Sequence, residues 1–195
     1  MEVRPPFVFL AGRGFARHTG LVNAGDKALP LEPWLRETLS DLPVVARAVL
    51  HALQLAHEDI ERHCADLRTE EIHTRPGGVA SVAFHLRHIA RSVDRLLTYA
   101  EGGALSEEQH AALADEMAPR GTAAEILDEA REALQRGDAR VRALADLDLK
   151  APRAVGRRAI PTTLGGLLVH LAEHTQRHAG QAITTAKMVR AGRTR

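Results

Sequence analysis

Apolar residues recur at intervals of three or four along four long stretches of the chain, which is the spacing of one face of an α-helix. The first stretch follows Pro43, with Ser40 or Asp41 as a candidate helix cap. Its predicted buried face consists of Val45, Val49, Leu53, Ala56, Ile60, Cys64 and Leu67. The second stretch runs from Ser81 to about Tyr99 and ends before a Gly-Gly pair. Its predicted inward face consists of Val82, His85, Ile89, Ser92, Val93 and Leu96.

Two capping boxes mark the starts of further helices. Ser106 with Gln109 predicts a short helix that extends to about Met117, and Thr122 with Glu125 predicts the third long helix. The buried face predicted for that third helix consists of Ile126, Ala130, Leu134, Gly137, Val141 and Leu144. The fourth long helix is the last apolar stretch, residues 163–189.

Four long helices joined by turns favour an all-α fold, and a four-helix bundle is the simplest such arrangement. We expect the bundle to span residues 31–190, with an irregular arm over residues 1–30 and a short tail over residues 191–195. Residues 150–163 lack helical spacing and are predicted to form a loop. That loop carries four cations, which indicate either solvated surface or an anion site: Lys150, Arg153, Arg157 and Arg158.

Composition agrees with a helical protein and narrows the function classes. Only 3% of the residues are aromatic, which favours packed helices over sheets. The formal net charge of +1 and the lack of a basic patch argue against a nucleic-acid partner, and no apolar run reaches the roughly 20 residues that span a bilayer. Cys64 is the single cysteine, so we expect a reducing, cytoplasmic location and a thiol that lies in the core rather than a reactive one.

The last long stretch carries three histidines, His170, His174 and His178. At positions i, i+4 and i+8 of a helix, each ring lies one turn beyond the previous ring and only about 40° further round. We therefore expect all three imidazoles on one face. The same stripe contains Leu167, Leu171 and Ile183, with Gln181 at its flank. The histidine face is thus predicted to point toward a core.

These histidines indicate a metal site. Neutral imidazole is the commonest protein ligand for transition metals, and two histidines at i, i+4 can hold one ion together. The second helix also brings His85 and His88 to a core face, one turn apart. The alternative interpretation, that each histidine is a core residue hydrogen-bonded through its ring, stays open at this point.

The last helix also contains a literal H-x-x-E-H sequence, formed by His170, Glu173 and His174. In inverted zinc proteases both histidines of such a motif bind zinc and the glutamate acts as the base. A further acidic ligand would be needed downstream, yet no Asp or Glu follows His178. A metal-dependent hydrolase is therefore kept only as an alternative.

Two segments together resemble the DinB-like, or YfiT-like, superfamily. They are residues 81–97, with His-Ile, and residues 168–181, with His-x-x-x-His-x-Gly-Gln. The resemblance covers roughly residues 32–190. It implies a four-helix bundle of up-down-down-up connectivity that holds a divalent metal through three histidines and water. The ligand positions of the family fall on His88, His174 and His178. Zinc or nickel is the expected metal, with iron or manganese as further candidates.

Members of this superfamily often form homodimers, and some transfer a low-molecular-weight thiol to a small electrophilic substrate. The resemblance therefore implies a metal-dependent transferase that activates such a thiol. A non-catalytic metal-binding or stress-related bundle protein is the main alternative. Five residues near the ligands are candidates for orienting them or for contacting substrate: His85, His170, Glu173, Arg177 and Gln181.

Overall fold

The structure is a computed structural model that describes residues 31–193, and most of these residues are helical. The long helices are α1 (Val44–Cys64), α3 (Val82–Ala100), α5 (Ala123–Ala143) and α6 (Leu164–Gly192). The short helices are α2 (Thr69–Ile72) and α4 (Glu107–Ala114). Strands β1 (Pro152–Val155) and β2 (Ile160–Thr163) form an antiparallel hairpin. The arm predicted for residues 1–30 lies outside the described residues.

The four long helices enclose one hydrophobic core. Each of α1 and α3 packs against both α5 and α6. The largest fully buried side chains include Leu50, Leu53, Leu86, Ile89, Leu97, Ile126, Leu164, Leu168 and Leu171. The predominantly helical fold expected from the apolar spacing is thereby confirmed, whereas the up-down-down-up connectivity of a four-helix bundle stays a prediction.

Local side-chain caps fix where three of the helices begin. Ser81 caps α3 by accepting a hydrogen bond from the Phe84 amide, and the capping boxes of Ser106 and Thr122 begin α4 and α5 as predicted. The cap predicted for α1 is wrong. Ser40 and Asp41 lie inside a turn, and Pro43 stands at the N-cap without a side-chain bond.

The hairpin corrects the loop predicted for residues 150–163. Its strands pair Arg153 with Thr162, and the turn between them contains Gly156 at a φ of 70°, which glycine adopts without steric cost. Arg153 donates a hydrogen bond to the carbonyl oxygen of Ala100 at 2.5 Å, so this cation caps the C-terminal end of α3. Thr163 then caps α6 through the Gly166 amide.

Two predicted helix ends are also corrected. Helix α4 ends at Ala114 rather than near Met117, and Arg91 donates to the carbonyl oxygen of Ala112 in its last turn at 2.6 Å. Helix α6 continues beyond residue 189 to Gly192, where Arg193 pairs with Glu71. Residues 191 and 192 therefore belong to the helix and not to a tail.

The buried face of α6 is rotated relative to the predicted histidine stripe. The core face consists of Leu164, Leu167, Leu168, Leu171, Thr175, Ala179, Ala182, Thr185, Ala186 and Val189. His174 and His178 lie at its edge and are half-buried, whereas His170 and Gln181 are exposed. The prediction that all three histidines point toward the core is wrong for His170, because its neighbours Leu167 and Leu171 take the core positions.

None of the described helices is both long and apolar enough to cross a bilayer.

Gly137 provides a test of the packing between α5 and α3. A Cβ atom at this glycine would lie 2.8 Å from Cγ1 of Val93, whereas one at Gly180 of α6 would meet nothing within 4 Å. Alanine favours the helix by about 1 kcal/mol over glycine at either site, but overpacking opposes that gain only at Gly137. We expect Gly137→Ala to be less stable than Gly180→Ala by about 1–3 kcal/mol in urea unfolding. Equal stabilities would contradict the close packing of these helices.

Candidate metal centre

His88 of α3 and His174 and His178 of α6 lie together where the two helices pack. One nitrogen atom from each ring lies within 4.8 Å of the others, and Nε2 of His88 is 2.8 Å from Nε2 of His174. Nitrogen atoms that bind one ion at about 2.0–2.1 Å lie roughly 3 Å apart, so this arrangement suits a shared metal. Within residues 31–193 this is the only such group of three or more potential ligand side chains.

Helix geometry explains why these three rings meet. His174 and His178 are one turn apart on α6, and His88 faces them from α3, with ring centroids 4.9 Å and 4.3 Å away. Both α6 rings stand at the boundary between the core face and solvent. The three imidazoles are therefore partly desolvated yet reachable from outside.

Two further residues of α3 line the cluster. His85 is buried, and its Nδ1 is 3.1 Å from Nδ1 of His178. Phe84, which the sequence analysis did not identify, stacks on the His88 ring with a centroid distance of 5.4 Å and an interplanar angle of 18°. These side chains limit the positions that the ligand rings can take.

A carboxylate that the sequence analysis missed also contacts the cluster. Glu116, in the turn after α4, is 4% exposed, and its Oε2 accepts a hydrogen bond from Nδ1 of His88 at 2.6 Å. Its other oxygen accepts from Nη1 of Arg95 at 2.7 Å. Burial alone would raise the pKa of the Glu116 carboxyl, but the hydrogen bonds from His88 and Arg95 outweigh burial and lower it. No motif or spacing in the sequence relates Glu116 to the histidines.

The turn that carries Glu116 is held in place by a buried arginine. Arg87 of α3 donates hydrogen bonds to the carbonyl oxygen of Ala118, at 2.6 Å, and to that of Arg120. Both acceptors belong to the connection between α4 and α5. The segment next to Glu116 is thus tied to the same helix that carries His88.

The candidate neighbours predicted from α6 lie on its exposed side. Glu173 pairs with Arg177, and its second oxygen is 3.9 Å from Nδ1 of His170. His170 is not part of the three-histidine group, although its ring centroid lies 5.3 Å from that of His174, and a zinc site built on H-x-x-E-H stays an untested alternative. Arg177 and Gln181 line a groove of about 440 Å³ that His85 also borders. Their roles toward ligands or substrate stay predictions.

Burial and mutual repulsion keep three of the clustered rings neutral. Desolvation, followed by the charge of His88, lowers the pKa of His85, His174 and His178 to about 4. Neutral imidazole has a lone pair available for a metal at pH 7.

Cys64 is an inert core residue, as predicted. Burial raises the pKa of its thiol to about 12, so the reactive thiolate does not form at neutral pH.

The arrangement can therefore hold a divalent ion through the imidazole rings of His88, His174 and His178. The profile of the DinB superfamily matches residues 52–182, a span that contains all three histidines. The chain belongs to the DinB superfamily. This membership confirms the resemblance seen in the two histidine segments. No curated protein and no solved structure matches the chain.

The low histidine pKa values predict how the stability of this DinB-superfamily protein depends on pH in the absence of metal. Between about pH 6.5 and pH 4 the unfolded chain protonates its histidines, whereas the folded chain keeps His85, His174 and His178 neutral. Protons therefore favour the unfolded state, and we expect the free energy of unfolding to fall as the pH is lowered through this range. Urea unfolding at pH 7, 6, 5 and 4 measures it.

Two variants test whether the clustered histidines cause the loss of stability at low pH. The double variant His174→Gln/His178→Gln should lose stability less steeply with falling pH, because two of the responsible groups are gone. The variant His110→Gln, at an exposed position of α4, should keep the original dependence. A double variant as steep as the unaltered protein would contradict the assignment.

Proposed function

We propose that this DinB-superfamily protein is a metal-dependent transferase that activates a low-molecular-weight thiol at the three-histidine site of a four-helix bundle. The observation that carries the proposal is the meeting of His88, His174 and His178, whose candidate ligand nitrogens lie within 4.8 Å of one another at half-buried positions. Three protein ligands leave at least one coordination position free for an exogenous molecule, whereas structural sites use four. Partial exposure of the rings favours such an open site over a closed, non-catalytic one.

The donor set suits zinc or nickel, the ions that the family resemblance implies. Imidazole nitrogen suits both ions, and the lowered pKa values of His174 and His178 keep their lone pairs free of protons at neutral pH. Such an ion would supply Lewis acidity that favours the thiolate form of a bound thiol. The residues around it would orient the ligand rings and the incoming molecule.

The groove beside the cluster offers contacts for the rest of a small thiol. Arg177 and Gln181 provide hydrogen-bond donors, and Val79 and Met188 provide apolar surface. The hairpin is a poorer candidate for a carboxylate site, since Arg153 binds Ala100, about 18 Å along α3 from His88. We therefore assign the binding of a thiol carboxylate to Arg177, which would exchange its ion pair with Glu173 for this contact.

The transfer step balances without an oxidant or a reductant. The thiol loses its proton to solvent, and a sulfur lone pair forms a bond to an electrophilic carbon of the second substrate. The bond from that carbon to its leaving group breaks, and the leaving group departs with the electron pair. The side chains of the groove would hold the two substrates in line.

Elemental analysis tests the metal site directly. Protein purified without an affinity tag is expected to contain about one zinc or nickel ion per chain, because three imidazole nitrogens lie close enough to share one ion. His174→Ala should lose this ion, whereas His110→Ala, outside the cluster, should retain it. An unaltered protein that stays free of metal after reconstitution would return these histidines to the role of hydrogen-bonded core residues.

A cobalt-substituted protein tests for the thiol. Addition of 2-mercaptoethanol or mercaptosuccinate should produce a sulfur-to-cobalt charge-transfer band in the near ultraviolet. Arg177→Met should weaken the binding of mercaptosuccinate by about tenfold, the effect of losing one charged hydrogen bond, and leave 2-mercaptoethanol unchanged. Bound cobalt without a band for either thiol would contradict the transferase and favour the non-catalytic metal-binding alternative.

A further inference from the structure

We propose that Glu116 is a positioning residue that fixes the proton of His88 on Nδ1 and thereby presents the Nε2 lone pair of His88 to the metal. The importance of this role for metal binding rests on the function proposed above. The proton position itself is a property of the protein without metal.

The hydrogen bond between Glu116 and His88 determines the tautomer. An ionised carboxylate only accepts hydrogen bonds, so the 2.6 Å contact requires the proton to lie on Nδ1 of His88. A neutral imidazole carries one proton, and Nε2 is then unprotonated. That Nε2 is the atom that faces His174 at 2.8 Å. The contact with Glu116 therefore orients the ring and, in its neutral form, directs the Nε2 lone pair to the side where a metal would bind.

Arg95 prevents the carboxylate from turning away. Its Nη1 donates to Oε1 of Glu116 at 2.7 Å, and the side chains of Arg95 and Glu116 are only 12% and 5% exposed. Both carboxylate oxygens thus have fixed donors, one on each side. Because guanidinium has no acceptor, the atom of residue 116 that faces Arg95 must be an acceptor.

This constraint makes the substitution E116Q unusually informative. A glutamine at this position must turn its carbonyl oxygen toward Arg95, since its amide group would place two donors against each other. The amide N–H groups then face Nδ1 of His88, which must accept, and the imidazole proton moves to Nε2. A nearly isosteric change would therefore block the candidate ligand atom. Removing Arg95 as well frees the amide to rotate and to accept from His88 again.

Nitrogen-15 NMR of histidine-labelled protein without metal measures the proton position. We expect the proton on Nδ1 of His88 in the unaltered protein, on Nε2 in E116Q, and again on Nδ1 in the double variant E116Q/R95M. Competition with a chromophoric chelator then measures zinc affinity. E116Q should weaken zinc binding by about 10–100-fold, the usual effect of losing such a contact, and the double variant should recover part of the loss.

Glu71→Gln is the matched control. Glu71 is likewise buried, its two oxygens accept hydrogen bonds from Arg193 at 2.6 Å, and it lies outside the histidine cluster. This variant should change neither the His88 tautomer nor the zinc affinity. If E116Q lost zinc affinity through general damage to the fold, the control variant would lose affinity as well. The second substitution in E116Q/R95M would then not restore the affinity.

Two results would overturn the role of Glu116. One is a proton on Nε2 of His88 in the unaltered protein, and the other is a proton that stays on Nδ1 in E116Q. If the unaltered protein shows the expected tautomers but binds no metal after reconstitution, the proposed function is contradicted and the positioning of His88 by Glu116 is supported.

Discussion

The packing of α3 against α6 is the constraint on which the candidate site depends. It places the ring of His88 4.9 Å from that of His174 and 4.3 Å from that of His178. A shift of one helix by a single turn, about 5.4 Å, would separate these rings. Both helices contribute fully buried side chains to the common core, such as Leu86 and Leu171, and close packing of that core resists such a shift. The chemistry of the site thus follows from how two apolar faces fit together.

The same packing sets the environment of the titratable groups. His174 and His178 stand at the margin of the core, where burial lowers each pKa to about 4 but leaves the ring partly open to solvent. Cys64 lies deeper, and the raised pKa of its thiol leaves it inert. His170 lies one turn from His174 on the exposed side and stays outside the group. An intermediate depth is therefore what suits a side chain to bind an exogenous ligand at neutral pH.

Sequence alone determined the features that rest on local rules. Helix starts at Ser81, Ser106 and Thr122 follow from caps that act within three residues. The core faces of α1, α3 and α5 largely follow from apolar spacing, although on α3 the fully buried leucine is Leu97 and not the predicted Leu96. The meeting of His88 with two α6 histidines was expected because the spacing and the family resemblance agreed. Each of these inferences uses residues that lie close together in the chain or match a known pattern.

Only the tertiary structure decided the features that depend on contacts across the chain. Glu116 meets His88 over a separation of 28 residues, and no periodicity or motif encodes that contact. The rotation of α6, which exposes His170, reflects competition among apolar side chains for the core rather than the spacing of histidines. In the hairpin, residues 152–155 pair with residues 160–163. Neither segment alone has the apolar alternation that predicts a strand, so the pairing itself stabilises both. Local sequence specifies which elements form, whereas packing decides which atoms of those elements meet, because that choice minimises the free energy of all contacts together.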